Sequence, residues 1–374
     1  MPRYLILNIL LTVFLAFIPA YPKITVDFTG YSPEDVVTMM TNFGIGHFDA
    51  VVLSHPFRTY GSPGNTDGII YDWTDTGGVK SQQSGLNTLY GNLDGFKKLV
   101  DFLKKNKVAV ICKADIFSQY MDFNLDLWKA TDFSPDSINY YDYHFVNLKN
   151  DTAKDKIRQM LAQMKSMPVD KWIIDLSKVP LKEQADYFAF VRDNAGWATV
   201  LFSHEPEIYK NYKDKASSYY YSLLMETILS STNRLDSSIY SEVKPDVIHF
   251  VPDRDVWINH FAVGLYLAAN FPGTVIPASF IALKSGKSIL SHFVTDMPYS
   301  CVYHGLDTIV MYSKSGKKII AINLSVDLAS VKLDMPMTKK GVIKSVMGNY
   351  PLQTDSSGSY ILIPPGSVYI WEIQ

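Results

Sequence analysis

Cysteine is scarce in this chain, with only Cys112 and Cys301 among 374 residues. A disulfide framework is therefore excluded, and stability must come from a packed core. Cys112 stands inside an apolar stretch and reads as a small buried hydrophobe. An excess of charge is missing as well. Lys and Arg number 35 against 37 Asp and Glu, a formal net charge of -2, which removes the basic footprint that nucleic-acid binding needs. Of the eight histidines, His47, His55, His144 and His304 show no ligand spacing, so neither a metal site nor a cofactor is expected.

What the chain does have is apolar and aromatic mass. Hydrophobic residues make up 47%, enough for one large core or a large core with a small second domain. Aromatics reach 13% with 24 Tyr, a supply that serves the core first and can also line clefts that stack flat ligands. At the N-terminus, Arg3 is followed by the apolar run Tyr4–Ala20, broken only by Asn8 and Thr12 and ending in Ile18-Pro19-Ala20. Residues 1–20 read as a signal peptide; the rival reading is an uncleaved anchor, for which the run is slightly shorter than the usual span of about 20 residues. Both readings put the body outside the cytosol. The triplets Asn150-Asp151-Thr152 and Asn323-Leu324-Ser325 agree with that compartment as glycosylation acceptors.

From Lys23 onward, short apolar runs alternate with amphipathic stretches, the pattern of βα units and a parallel sheet. Strands are expected at Ile24 to Phe28, Ala50 to Leu53, Val108 to Cys112, Trp172 to Asp175, Thr199 to Phe202, Tyr219 to Tyr221, Val247 to Val251 and Thr274 to Ile281. Helices are expected at Pro33 to Asn42, Leu93 to Leu103, Ala153 to Met164, Leu181 to Asn194, Leu223 to Leu229 and Trp257 to Ala269. In the second of these, Leu93, Phe96, Leu99, Val100 and Leu103 recur at three- and four-residue spacing opposite Lys97, Lys98, Lys104 and Lys105. Eight strand candidates fit a (β/α)8 barrel over residues 23–300 better than a doubly wound sheet. Two segments interrupt it: a polar, Gly-rich loop at 54–92, long enough to be functional or partly folded, and an insertion at about 116–144. After about residue 300 the helices stop. Runs at Thr308 to Tyr312, Lys318 to Asn323, Gly341 to Val346, Tyr360 to Ile363 and Val368 to Ile373 predict a small antiparallel β domain over 301–374, too small to stand alone and expected to pack on the barrel.

In a (β/α)8 barrel, chemistry sits at the C-terminal ends of the strands. Asp115 follows the third strand, Asp175 ends the fourth, Glu205 follows the fifth and Asp255 the seventh. Two such carboxyl groups can run glycoside hydrolysis with retention, and a third can orient the sugar. Strand-end loops are polar in any barrel, so position alone does not make these acids a site.

Their order and surroundings resemble the α-amylase superfamily, glycoside hydrolase family 13, from about Ser32 to the C-terminus. LDGFKKLVDFLKKNKVAVIC at 93–112 is similar to the helix and third strand that lead to the family's first motif. The stretch 145–180, from FVNLKNDTAKDKIRQML to VDKWIIDLSKVP, is similar to the segment ending in the nucleophile motif, with Asp175 at the nucleophile position and Lys178 at the motif's lysine. LFSHE at 201–205 resembles the acid/base motif, which implies Glu205 as proton donor. HFVPDRD at 249–255 resembles the motif of the transition-state aspartate, which implies Asp255, with Arg254 in place of the family's histidine. AVGLYLAANFPGTVIP and ILIPPGSVYIWE are similar to the approach to the eighth strand and to the closing strands of the β domain. Tyr71, within Gly68 to Asp72, corresponds to a subsite tyrosine.

The resemblance implies an α-glucoside or other carbohydrate partner, with Asp175, Glu205 and Asp255 catalytic and Lys178, Tyr71, Asp115 and Arg254 substrate-binding. The departures imply a degenerate site. The family's arginine two residues before the nucleophile, which keeps that carboxylate ionised and oriented, is Ile173 here. The first motif aligns in two ways, one placing Lys113 at its aspartate and the other placing Asp115 there, followed by Gln119 and Tyr120. Two readings follow: a retaining α-glucosidase or amylase, or a silent descendant that serves as a membrane-side or protein partner, as the heavy chains of amino-acid transporters do.

Overall fold

The computed structural model describes residues 24–59, 70–72, 89–90, 93–120, 128–130, 143–146, 148–176, 179–201, 219–222, 247–250, 274–282, 292, 299–304, 308–313, 315–323, 325–333, 343–347, 353–355, 358–365 and 367–373. The barrel strands are β1 (Ile24–Asp27), β2 (Phe48–Ser54), β3 (Ala109–Ala114), β4 (Lys171–Asp175), β5 (Thr199–Leu201), β6 (Tyr219–Ser222), β7 (Val247–Phe250) and β8 (Thr274–Pro277). They pair in parallel with their sequence neighbours, and β8 closes on β1. All eight strand candidates are thus barrel staves, in order.

The described helices lie where periodicity places them: α1 (Pro33–Phe43), α2 (Leu93–Lys105), α3 (Asp151–Lys165) and α4 (Leu181–Ala195). Each N-terminus that carries a side-chain cap shows the local reason for its start. Ser32 Oγ accepts from the Asp35 amide ahead of Pro33, and Asn150 Oδ1 accepts from the Ala153 amide. The buried stripe of α2 is Phe96, Leu99, Val100 and Leu103, the face read from spacing. The expected helices at Leu223 to Leu229 and Trp257 to Ala269 lie outside the described residues.

One boundary differs. The apolar run from Thr274 ends its strand at Pro277 and turns into the short helix α5 (Ala278–Ala282) rather than running extended to Ile281. Pro277 has no N–H to continue a ladder, and an unbroken apolar run does not itself distinguish a buried strand from a buried helix. Within the long loop after β2, Arg58–Thr59 and Ile70–Asp72 pair antiparallel. The insertion after β3 holds a three-stranded antiparallel sheet of Ser118–Tyr120, Tyr143–Val146 and Trp128–Ala130.

The C-terminal strands form two antiparallel sheets. The first has β9 (Tyr299–His304), β10 (Thr308–Ser313), β11 (Lys318–Asn323), β16 (Ser367–Ile373) and β13 (Ile343–Met347) side by side. The second has β12 (Ala329–Leu333), β15 (Gly358–Ile363) and β14 (Gln353–Asp355). Alternation along the strands explains how these layers stack. Ile309, Met311, Ile320, Ile322, Val368 and Ile370 join the core of the barrel and its helices. Their neighbours Val310, Ile319, Ala321, Tyr369 and Trp371 face the other way and pack on Val331, Ile361 and Ile363 of the second sheet. The Tyr369 and Trp371 rings stack there with centroids 5.6 Å apart.

One glycosylation triplet is not available in this fold. Asn323 is 0% exposed, and its Nδ2 donates to the carbonyls of Asp327 and Ile363 at 2.8 Å each.

Ile370 is fully buried where the β domain meets the barrel. Ile370→Ala is expected to destabilise the protein by about 2–5 kcal/mol, read as a lower urea midpoint. A surface substitution such as Lys344→Ala serves as the control and should stay within about 0.5 kcal/mol.

Candidate active site

The lumen of the barrel is apolar at its centre. Ala50, Val52, Ile111, Ile173, Leu201 and Val275 form one buried cluster, with Ala109 packed against it. Because successive side chains alternate, the next lumen-facing position along each strand is the mouth. On β3 the series Ala109, Ile111 ends in Lys113; on β4 the series through Ile173 ends in Asp175. The intervening Val110, Cys112, Ala114, Trp172 and Ile174 face outward, into the layer shared with the helices. The same alternation along β1 and β2 brings Asp27 and Ser54 to the ends of their strands.

These four strand ends are tied together. Lys113 Nζ lies 3.2 Å from Asp175 Oδ2. The backbone register sets Lys113 directly opposite Ile173 on β4 and Ser54 on β2. Ser54 Oγ accepts from the Gly30 amide at 3.1 Å, and its carbonyl accepts from the Tyr90 hydroxyl at 2.7 Å. Asp27 Oδ1 accepts from the Thr29 amide at 2.8 Å, which turns the chain after β1. After β4, Gln184 of α4 donates to the carbonyls of Leu176 and Val179, and the Leu176 amide donates to the Leu201 carbonyl, which fixes the exit of the strand behind Asp175.

The electrostatics follow from this crowding. Asp175 is 5% exposed, and the Lys113 side chain 26%. Burial by itself would depress the Lys113 pKa. The negative charges of Asp175, Asp27 and Asp115, with the hydrogen bond to Asp175, outweigh that cost and raise it above the ordinary lysine value. Lys113 is therefore a firmly charged ammonium at neutral pH. Asp115 is 1% exposed, and its Oδ1 accepts from the Phe117 amide at 3.1 Å, so that carboxylate also shapes the turn after β3.

Of the residues expected to form the site, Asp175 at the end of β4 and Asp115 just after the adjacent β3 are thus near the mouth. Tyr71 lies in the short strand Ile70–Asp72, with only its backbone described. Glu205, Asp255, Lys178 and Arg254 lie outside the described residues. Among the described residues no group of three or more His, Cys, Asp and Glu side chains could hold a metal ion. Two contributors were not expected from the chain alone: Asp27, and Lys113 as the cation beside Asp175. A signal for the second exists, since a lysine two places beyond Ile111 on the lumen face of an apolar strand must find a counter-charge.

Comparison with known proteins identifies the fold. No family model matches the chain, and no curated protein matches it. Solved structures do. An α-amylase of Anoxybacillus superposes with a TM-score of 0.59 at 14% identity, covering 91% of this chain and 89% of that one. The α-amylase of Geobacillus thermoleovorans, complexed with acarbose, gives 0.58 at 13% identity and covers 92% of each chain. A maltogenic α-amylase of Thermotoga neapolitana gives 0.56 at 13%, covering 94% of this chain and 98% of its own. The chain therefore has the α-amylase fold, a (β/α)8 barrel followed by a C-terminal antiparallel β domain.

The ion pair makes a prediction about pH. The folded state raises the Lys113 pKa above its value of about 10.5 in the unfolded chain. Its stabilising contribution is therefore fully present below about pH 10.5 and is lost as pH climbs through the folded value. Lys113→Met should lower stability at neutral pH by roughly 1–3 kcal/mol, less than for a fully buried pair because the Lys113 side chain is partly exposed. The urea-unfolding free energies of wild type and variant should then converge at strongly alkaline pH. A gap that persists there contradicts the pairing.

Proposed function

We propose that the chain is an extracytoplasmic, amylase-type carbohydrate-binding protein whose hydrolytic step is impaired or absent. The ion pair at the mouth carries this reading. A retaining glycosidase needs a carboxylate with open approach to the anomeric carbon and a proton donor about 5–5.5 Å away. Asp175, at the nucleophile position, is instead almost fully buried and ion-paired to Lys113, whose side chain is the more exposed of the two. Such a pair still presents a donor beside an acceptor, the combination that binds neighbouring sugar hydroxyls. The similarity to an amylase complexed with acarbose supports a saccharide as ligand.

A panel of α-linked glucosides with purified protein tests the reading. Turnover is expected to be absent or at least about a hundredfold below that of an active amylase, the scale of losing one stabilising group from a site. Maltotetraose should nevertheless bind, measured by calorimetry. Ready turnover that disappears in Asp175→Asn overturns the silent site. Absence of both turnover and saccharide binding moves the chain to the partner-subunit reading.

The extracytoplasmic assignment is supported by the apolar segment Tyr4–Ala20 and the acceptor triplet at Asn150. The two triplets are not equivalent. Asn150 is half-buried at the start of α3, and its cap bond uses the side-chain oxygen rather than the nitrogen to which a glycan is joined. Peptide mapping of protein secreted from a eukaryotic host should find a glycan on Asn150 and none on Asn323.

A further inference from the structure

The cation beside Asp175 reaches it from the neighbouring strand. We propose that Lys113 is the positioning residue of the mouth, an ammonium delivered from β3 that orients Asp175 and keeps it ionised although no positive charge stands at position 173. This goes beyond the carbohydrate-binding reading but rests on it for the purpose the oriented carboxylate serves.

The geometry behind this is specific. Ile173 is 0% exposed within the apolar lumen cluster, so its own strand offers Asp175 no counter-charge from the position two residues before it. The register places the Lys113 Cα across from Ile173, two residues before Asp175, so an extended lysine side chain leaning along the strand direction ends at Asp175. The observed 3.2 Å contact is that reach. A carboxylate this buried at the end of an apolar strand would carry a desolvation cost of several kcal/mol if it stayed ionised alone, and it would instead take up a proton. Lys113 removes that pressure. Asp27 on β1 and Asp115 after β3 also face the ammonium, and their charge keeps it protonated while Asp175 accepts its hydrogen bond.

An arginine at 173 and a lysine at 113 would compete for the same carboxylate. With Ile at 173, the counter-charge of Asp175 comes from β3 rather than from its own strand.

The test follows Asp175 itself, without sugar, so that its outcome is independent of whether the protein binds a saccharide. Full-length protein labelled with 13C at the aspartate side-chain carboxyl is titrated by NMR, with the Asp175 signal assigned by its loss in Asp175→Asn. In Lys113→Met the Asp175 midpoint is expected to rise by at least about one pH unit over wild type, a tenfold gain in proton affinity. In Lys113→Arg, which keeps the charge, it should stay within about half a unit of wild type. If Lys113→Met does not fold, Lys113→Gln, which retains a donor without a charge, takes its place and should show the same rise. A midpoint unmoved in the neutral variant, or an arginine variant that behaves like the neutral one, overturns the proposal.

Discussion

A closed parallel sheet gives every strand two faces with different fates, and this constraint governs the molecule. One face turns to the helices and joins the main core; the other turns to a lumen filled at its centre by apolar side chains. Ala50, Val52, Ile111, Ile173, Leu201 and Val275 fill that lumen. Polar groups on the same face are tolerated only at its end, where Asp27, Ser54, Lys113 and Asp175 gather on four consecutive strands. The site is thus a consequence of where the period-two pattern runs out of apolar residues.

The same rule, applied to antiparallel strands, fixes the β domain. β10, β11 and β16 each send one set of side chains to the barrel and the other to the small second sheet. A domain of this size buries too little surface alone, and here its inner face is continuous with the barrel's own core. Barrel and β domain are therefore energetically linked, and a core substitution at their shared layer is felt by both.

Much of the fold was legible because its signals are periodic. KWIID and AVICKA carry apolar residues on both faces, as strands of a covered parallel sheet must, and α2 carries a clear stripe. Strands β9, β12 and β14 were not legible. In ASVKL, Val331 goes to the core with Ala329 packed beside it while Ser330 and Lys332 are exposed, too thin an alternation to stand out from a loop. The acid at the end of β4 could be placed from sequence, but its partner could not. Lys113 and Asp175 are brought together only by the register of β3 on β4, a long-range fact that spacing along the chain does not contain. Asn323 shows the reverse case: an asparagine that reads as a surface acceptor is buried, its amide donating to two backbone carbonyls.

The carboxylate that ends β4 at the barrel mouth draws its positive partner from the neighbouring strand β3. The energetic coupling between Lys113 and Asp175 measures that claim most directly, through a double-mutant cycle of Lys113→Met and Asp175→Asn on unfolding free energy at neutral pH. The account predicts a favourable coupling of about 1–3 kcal/mol, with the double variant more stable than the sum of the single losses implies. Additive losses within about 0.3 kcal/mol would contradict it.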